Sequence, residues 1–304
     1  MISTTVIKLI KPNDEKLSSQ FKELLRFISQ IPPEIDNAKI IFDLSNMNFI
    51  FPLLVTCLTA LKKNLESKRA VVEVIGIDAS VSSYLSTIKF LSPFDSLTTS
   101  GGESSLKVYE HKSYLPITLI HTGEVNSRIR ESVQTVFSQI TRKQLGLNTS
   151  LYSAFSYILG EFIDNIDQHS LAPFGYIMVQ HYPKLGFMQL CIVDTGSGIL
   201  QSYLRNDIPN ITTNAEAINQ ALNGKTTKKD DIDRGFGIST SRKMLVKGLG
   251  GEFFLMSGNA LFIYTKEYEQ IVNLDVKQDW NGTILALTIP TFASADFDYL
   301  TYVE

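Results

Sequence analysis

The sequence predicts a protein of α/β (α+β) class with two domains, residues 1–115 and 116–304. Three observations predict this organisation. A chain of 304 residues is long enough for two cores. In the first third, strand-like and helix-like segments alternate, which favours a small α/β domain with a partly parallel sheet. In the second region two long helical segments precede a run of strands, which favours helices packed on an antiparallel sheet.

The first region contains three predicted strands, in TTVIKLI, KIIFDLS and AVVEVIGI. Between the first two strands, apolar residues recur on one face of a predicted helix, at Leu17, Phe21, Leu24, Leu25 and Ile28. A second helix begins at Pro52, because proline is tolerated in the first turn of a helix. A third helix is predicted in SVSSYLSTIKFL, and residues 94–106, rich in Ser, Thr and Gly, predict a loop.

The second region begins with predicted helices at about 124–143 and 148–169. Two strands follow, YIMVQHY and FMQLCIVD, and then a polar stretch of about 30 residues that ends at RGFGIS. Another helix and a run of strands ending in GTILALTIP complete the region. This order gives no parallel βαβ unit, so a doubly wound sheet is not expected.

Composition narrows the classes of function. The net charge of −3 gives no reason to expect nucleic-acid binding. The N-terminus lacks the features of a secretory signal, and no apolar stretch reaches the roughly 20 residues of a membrane helix. We therefore expect a cytoplasmic protein without a membrane partner. Cys57 and Cys191 lie in apolar segments and are predicted to be buried thiols rather than disulfide or metal ligands.

The turn DTGSGI, at residues 194–199, has three interpretations besides an ordinary strand end: a phosphate loop, a dinucleotide fingerprint and a nucleotide-base pocket. A phosphate loop needs a glycine five residues before GK, and the GKT of residues 224–226 has Asn219 there. A dinucleotide fingerprint needs a third glycine, and this turn has Gln201 in its place. A nucleotide-base pocket and an ordinary turn therefore remain open.

A polar stripe precedes that turn on the second predicted helix of the region. Glu161, Asn165 and His169 are spaced by four residues, so they line up on one helical face, apart from the apolar face. Taken alone, such a stripe is typical of a solvated helix surface. An acid, an amide and an imidazole are also groups that act on phosphates and metal ions.

The motifs together resemble a known family. ExxxNxxxH on a helix, a strand ending in DxGxG, RGFGIS before a helix, and GT in a late strand occur in the order typical of the GHKL ATPase superfamily. The similarity covers roughly residues 120–290. It implies helices on one face of a mixed, mostly antiparallel sheet, with ATP and Mg²⁺ as ligands.

The resemblance also implies roles for the site residues. Glu161 is the general base for the attacking water, and Asn165 binds Mg²⁺ through its amide oxygen. Asp194 accepts a hydrogen bond from the amine of adenine, while Gly196 and Gly198 let the backbone pass close to the base. The further ATP contacts that it implies are His169, Thr227, Lys228, Arg234, Gly235, Phe236, Gly237 and Thr283.

Several of these assignments have ordinary alternatives. Lys228 lies in a charge run typical of a solvated loop, and Arg234 could instead pair with a neighbouring aspartate. His169 suits a helix end without any function, and Thr283 suits a strand because it is β-branched.

The segment FDLSNMNFIFPLLVTCLTALKKNL resembles the centre of STAS domains, and SSYLSTIKF resembles their next helix. A leucine stands where STAS antagonists carry a phosphorylatable serine, so we do not expect a phosphorylation switch at this loop. Its apolar residues, at positions 49–54, favour a docking surface against the ATPase domain or a partner. The combination resembles bacterial anti-sigma kinases and their antagonists joined in one regulatory chain.

Three functions remain open at this point. The first is a slow Mg²⁺-dependent ATPase that acts as a conformational switch on a protein partner or a homodimer. The second is a serine/threonine protein kinase of the anti-sigma type, and the third is a non-catalytic ATP-binding scaffold. Glu161 argues against the scaffold, since a scaffold needs no base. The switch is favoured over the kinase because no phosphoacceptor substrate is evident.

Overall fold

A computed structural model of the chain describes residues 4–99, 102–123, 126–145, 159–160, 162–166, 171–223, 239 and 242–291. These residues form a three-stranded sheet, a seven-stranded sheet and the helices that pack on them. The predicted mixed α and β class is therefore confirmed. Within the described residues, no helix combines the length and the apolar character needed to cross a membrane.

The N-terminal unit, which we define as residues 4–87, alternates strands and helices. In chain order its elements are β1 Thr4–Lys8, α1 Leu17–Ile28, β2 Lys39–Asp43, α2 Pro52–Ser67, β3 Val71–Ile75 and α3 Ala79–Thr87. The strands are ordered β1-β2-β3, and both strand pairs are parallel. Helical crossovers are the connections that parallel neighbours require, so α1 and α2 follow from this order.

The rest of the described chain forms the seven-stranded sheet and a layer of helices. Its strands are β4 Tyr114–His121, β5 Phe174–Tyr182, β6 Phe187–Asp194, β7 Glu252–Gly258, β8 Ala260–Tyr264, β9 Glu269–Asn273 and β10 Trp280–Pro290. The order is β4-β5-β6-β10-β7-β8-β9, and every neighbouring pair is antiparallel.

The helices of this part are α4 Asn126–Leu145, α5 with helical residues 159–160 and 162–166, α6 Gly198–Arg205 and α7 Asn214–Leu222. Short 3₁₀ segments lie at Gly102–His111 and Val276–Gln278, and a π-helical turn lies at Met244–Gly248. The first of these 3₁₀ segments occupies part of the stretch predicted as a loop, residues 94–106.

Each face of the seven-stranded sheet is covered by helices. Helices α4, α5 and α7 and the π-helical turn share an apolar core with one face. Helices α1 and α2 share another core with the opposite face, and α2 contacts β3 on one side and β5 and β6 on the other. The layers therefore run three-stranded sheet, α1 and α2, seven-stranded sheet, and the second group of helices.

The contacts between the N-terminal unit and the sheet include more than apolar packing. The side chain at the N-cap of α1, Lys16, makes no capping hydrogen bond, and the Leu17 N–H donates instead to Glu252 Oε2 at 3.2 Å. Phe49 and Phe51, in the predicted docking loop, lie with ring centroids 5.7 Å from Tyr182 of β5. The start of α1 and the loop before α2 are thus both attached to the sheet.

Cys57 of α2 and Cys191 of β6 are free, buried thiols, as predicted. They lie on opposite sides of the contact between helix and sheet and are joined by a hydrogen bond. Burial raises the pKa of the Cys57 thiol well above its ordinary value, and the Cys191 contact raises it further. Both side chains serve as packing groups in the shared core.

Candidate functional site

The predicted base-reading residue, Asp194, lies at the end of β6, near the centre of the seven-stranded sheet. Its neighbours across the sheet are Gly175 on β5 and Thr283 on β10, and Thr283 is in turn paired with Ser257 on β7. Side chains alternate along a strand, so Asp194 points to the face opposite Val193, which belongs to the core with α1 and α2. Asp194 therefore faces the second group of helices, α4, α5 and α7.

The Asp194 carboxyl group is buried, with 3% of the residue exposed, and it is held by hydrogen bonds. Its Oδ1 accepts the Gly196 N–H at 2.8 Å, and the N–H and hydroxyl of Thr283 also donate to it. Burial raises the pKa of Asp194 to about 6, while these hydrogen bonds favour the charged form and offset part of that shift. The site thus holds a desolvated carboxyl group in a fixed position.

The glycines beside Asp194 allow two close approaches. Gly282 has φ +113°, and a Cβ there would lie 2.3 Å from the Asp194 carbonyl oxygen. Gly198 has φ +73°, and a Cβ there would lie 2.9 Å from Ser257 Oγ. Any other residue at these positions would force β6 and β10 apart or displace the turn after β6.

Ser257 joins the turn to the strands. Its hydroxyl donates to the Gly282 carbonyl at 3.0 Å and accepts the Ile199 N–H at 2.9 Å. The first turn of α6 is therefore fixed to β7 and β10 through a single buried side chain. Sequence reasoning missed Ser257, because a serine in an apolar strand carries no motif of its own.

Trp280 also contacts Asp194 and was not predicted. Its indole Nε1–H donates to the Asp194 carbonyl oxygen at 2.9 Å, and the residue is 3% exposed. A signal was present, because this is the only tryptophan in the chain and it lies three residues before Thr283. A buried indole N–H needs an acceptor.

Helix α5 packs on β5, the strand next to Asp194. A Cβ on Gly175 would lie 2.6 Å from Ile166 Cδ1, so the absence of a side chain at Gly175 lets α5 pack closely on β5. Asn165, the predicted Mg²⁺ ligand, precedes Ile166 in this helix and is half-buried. Asn165 is thus on the helix that packs against the strand next to Asp194.

The structure brings together part of the predicted site. Asp194, Gly196 and Thr283 are joined directly, and Gly198 is linked to them through Ser257. Most predicted phosphate-end residues lie outside the described residues: Glu161, His169, Thr227, Lys228, Arg234, Gly235, Phe236 and Gly237. In the described ranges, no group of three or more His, Cys, Asp or Glu side chains could hold a metal ion.

Compared with known proteins, the chain matches no family model, no curated protein and no solved structure. The resemblance to GHKL ATPases and STAS domains thus stays a prediction from the quoted motifs. The structure adds the geometry around Asp194, and the hydrogen bonding and burial of this carboxyl group indicate which ligands it suits.

Proposed function

We propose that the chain binds ATP with Mg²⁺ beside Asp194, at the end of β6 in the seven-stranded sheet. Slow hydrolysis would then serve as a conformational switch for a protein partner or a second copy. The observation that carries this proposal is the buried Asp194 carboxyl group, held by Thr283 beside a glycine turn. Among the described residues no basic side chain pairs with Asp194, and a buried ionisable group of this kind is typical of a ligand site.

The chemistry of Asp194 suits adenine. A carboxylate has about four lone-pair sites, so it can accept an exocyclic amine in addition to the Gly196 and Thr283 donors. Guanine presents a carbonyl oxygen where adenine has its amine, and two acceptors would then face each other in a desolvated site. A polar mismatch of this kind is costly, so the site is expected to prefer adenine to guanine nucleotides.

The proposed contacts with the phosphates, Mg²⁺ and the attacking water rest on the sequence motifs. The amide oxygen of Asn165 is a suitable ligand for Mg²⁺, which takes a few protein oxygens together with phosphates and water. When bound, Mg²⁺ would neutralise charge on the phosphates. Glu161 would accept the proton of the water that attacks the terminal phosphorus, giving ADP and inorganic phosphate.

We prefer the conformational switch to the kinase and the scaffold because the site adjoins the core between the sheet and helices α1 and α2. Val193, immediately before Asp194, packs in the core that the sheet shares with α1 and α2. A change at the site would therefore act directly on the N-terminal unit. No comparable feature of the described residues favours the kinase or the scaffold.

Asp194→Asn is the test of this site. We expect affinity for Mg·ADP to fall about fivefold to 150-fold, from the loss of roughly 1–3 kcal/mol in one buried, charge-assisted hydrogen bond. The matched control is Asp207→Asn, an exposed aspartate after α6, which should bind Mg·ADP like the wild type. Calorimetric titration with Mg·ADP and Mg·GDP measures both. Equal affinity for the two nucleotides in the wild type would contradict the proposed base pocket.

Hydrolysis needs a second measurement. With γ-labelled ATP, the switch predicts that the label appears as free phosphate, whereas a kinase would place it on protein. Glu161→Ala should retain nucleotide binding and lose turnover, because only the base is removed. Unchanged turnover in this variant would rule out the catalytic assignment. If Mg·ATP does not raise the melting temperature of the wild type, the nucleotide site itself is refuted.

A further inference from the structure

The segment 280–283 holds Asp194 at two points. At its start, the Trp280 indole N–H donates to the Asp194 carbonyl oxygen at 2.9 Å. At its end, the N–H and hydroxyl of Thr283 donate to the carboxyl group of the same residue. Between them, Gly282 permits the close approach, and the pairing of β10 with β7 changes register between Trp280 and Thr283. This irregularity lets two residues of one strand reach one residue of β6.

The other side of this segment faces the N-terminal unit. Trp280 belongs to the apolar core that α1 and α2 share with the sheet. The 3₁₀ turn just before it, Val276–Gln278, contacts α1. Asp279 is close enough to Lys68, at the end of α2, for that charge to lower its pKa, although burial raises it more. Residues 276–283 therefore contact both helices at one end and Asp194 at the other.

We propose that Trp280 is a positioning residue that couples the packing of α1 and α2 to the placement of Asp194. The inference rests on the proposed nucleotide site and assigns its regulation to the N-terminal unit. A partner that shifts α1 and α2 would then change affinity for adenine nucleotides. Nucleotide binding would change the packing of the two helices by the same coupling free energy, since linkage is reciprocal.

The physical basis is the buried carbonyl of Asp194. Without the indole N–H, this oxygen loses a donor in a desolvated position, and the end of β6 must shift or admit water. Because Asp194 is the last residue of β6, its carbonyl and its carboxyl group move together. A change at Trp280 on one face of the sheet is thereby transmitted to the site on the other face.

The single tryptophan makes a specific replacement possible. Growth of a tryptophan auxotroph on β-(3-benzothienyl)alanine places this analogue at position 280 alone, keeping the ring shape and replacing the N–H by sulfur. We expect the affinity of the full chain for Mg·ADP to fall about fivefold to tenfold. The control is Phe137→Leu, a buried residue of α4 in the other core, which should lower stability without changing affinity.

Hydrogen exchange tests the coupling itself. Saturating Mg·ADP should slow exchange of the α1 and α2 backbone amides in the wild type and in Phe137→Leu. The same addition should have little effect on these amides in the analogue-containing protein. A role of Trp280 in stability alone would not remove this response. Unchanged Mg·ADP affinity or an unchanged exchange response in the analogue-containing protein would overturn the inference.

The apo protein separates this inference from the proposed function. In a ¹³C titration of the Asp194 carboxyl group, we expect a midpoint near the pKa of about 6 in the wild type. The analogue should lower this midpoint toward 3.8, the ordinary value, because water gains access, and Phe137→Leu should leave it unchanged. If no adenine nucleotide binds, the proposed function fails; a shifted midpoint then still supports positioning by Trp280. An unshifted midpoint refutes it. Should the analogue prevent folding, Trp280→Phe is measured in the same three ways.

Discussion

The two faces of the seven-stranded sheet differ in what they do with polar groups. The face toward α1 and α2 carries Cys191 and Val193 of β6 in the shared core, and its buried polar side chain, Gln189, donates to the Glu15 carbonyl just before α1. The face toward α4, α5 and α7 carries Asp194 at the end of β6, with Thr283 beside it on β10. Since strand side chains alternate, a single residue step separates a packing position from a site position. Structural contacts and candidate chemistry are therefore adjacent along the chain.

The largest effect is expected on the site face, at Gly282. In Gly282→Ala the new Cβ would meet the backbone oxygen and carbon of Asp194 at 2.3 and 2.7 Å, and backbone atoms cannot move aside cheaply. We expect a loss of about 4 kcal/mol in the free energy of unfolding, measured by urea denaturation. The Asp194 site should be lost with it.

Gly186→Ala is the matched control for this substitution. Gly186 also has a positive φ, +74°, but no atom lies within 4 Å of the added Cβ. Only conformational strain remains, which costs about 1 kcal/mol. Similar losses in the two variants would show that the close approach of β10 to Asp194 is not what requires a glycine.

The face toward α1 and α2 is tested at Leu58 of α2, which is fully buried in the shared core. Leu58→Ala should lower the free energy of unfolding by about 3 kcal/mol, because the substitution leaves a cavity between helix and sheet. One core also implies one transition, so Trp280 fluorescence and far-UV circular dichroism should report the same midpoint. Val6→Ala, on the exposed side of β1, should change stability by less than about 0.5 kcal/mol. Two separate transitions would mean that the N-terminal unit folds independently of the sheet.

Much of this architecture follows from local patterns. The periodicity of Leu17, Phe21, Leu24 and Ile28 predicted α1, and these side chains are buried as expected. The stacking of α1 and α2 between two sheets was not predicted, although α2 carried a signal for it. All ten residues from Pro52 to Leu61 are buried. A helix that is apolar on nearly all sides packs against other elements on two opposite sides. Which surface covers it depends on contacts far apart in sequence.

The site was predictable to a similar degree. The motif order singled out Asp194, which begins DxGxG, and Thr283, which follows Gly282 in GT. The structure pairs these two residues across β6 and β10. Trp280 was missed because the register change before Thr283 breaks the alternation from which a facing residue would be inferred. Ser257 and Gly175 were missed because their roles come from close approach across strands, which the sequence of one strand does not contain.

Control variants aside, the smallest predicted change in the free energy of unfolding comes from the titration of Asp194. Because burial raises the pKa of Asp194 from 3.8 to about 6, the folded state binds this proton more tightly than the unfolded state. The resulting stabilisation is complete below pH 3.8 and is lost as the pH rises through 6. Between pH 5 and 7.5 the group should lower the free energy of unfolding by about 1 kcal/mol.

Asp194→Asn isolates this contribution. Burial also raises the pKa values of Glu252 and Asp279, so the wild type alone reports a sum. The difference between wild type and variant, from urea denaturation at each pH, should change by about 1 kcal/mol over this range. A difference that is independent of pH would mean that water or a donor on the helix side keeps the carboxyl group ionised. The site face would then hold an ionised Asp194 carboxylate, whereas on the face toward α1 and α2 the polar groups Gln189 and Glu252 serve contacts with the start of α1.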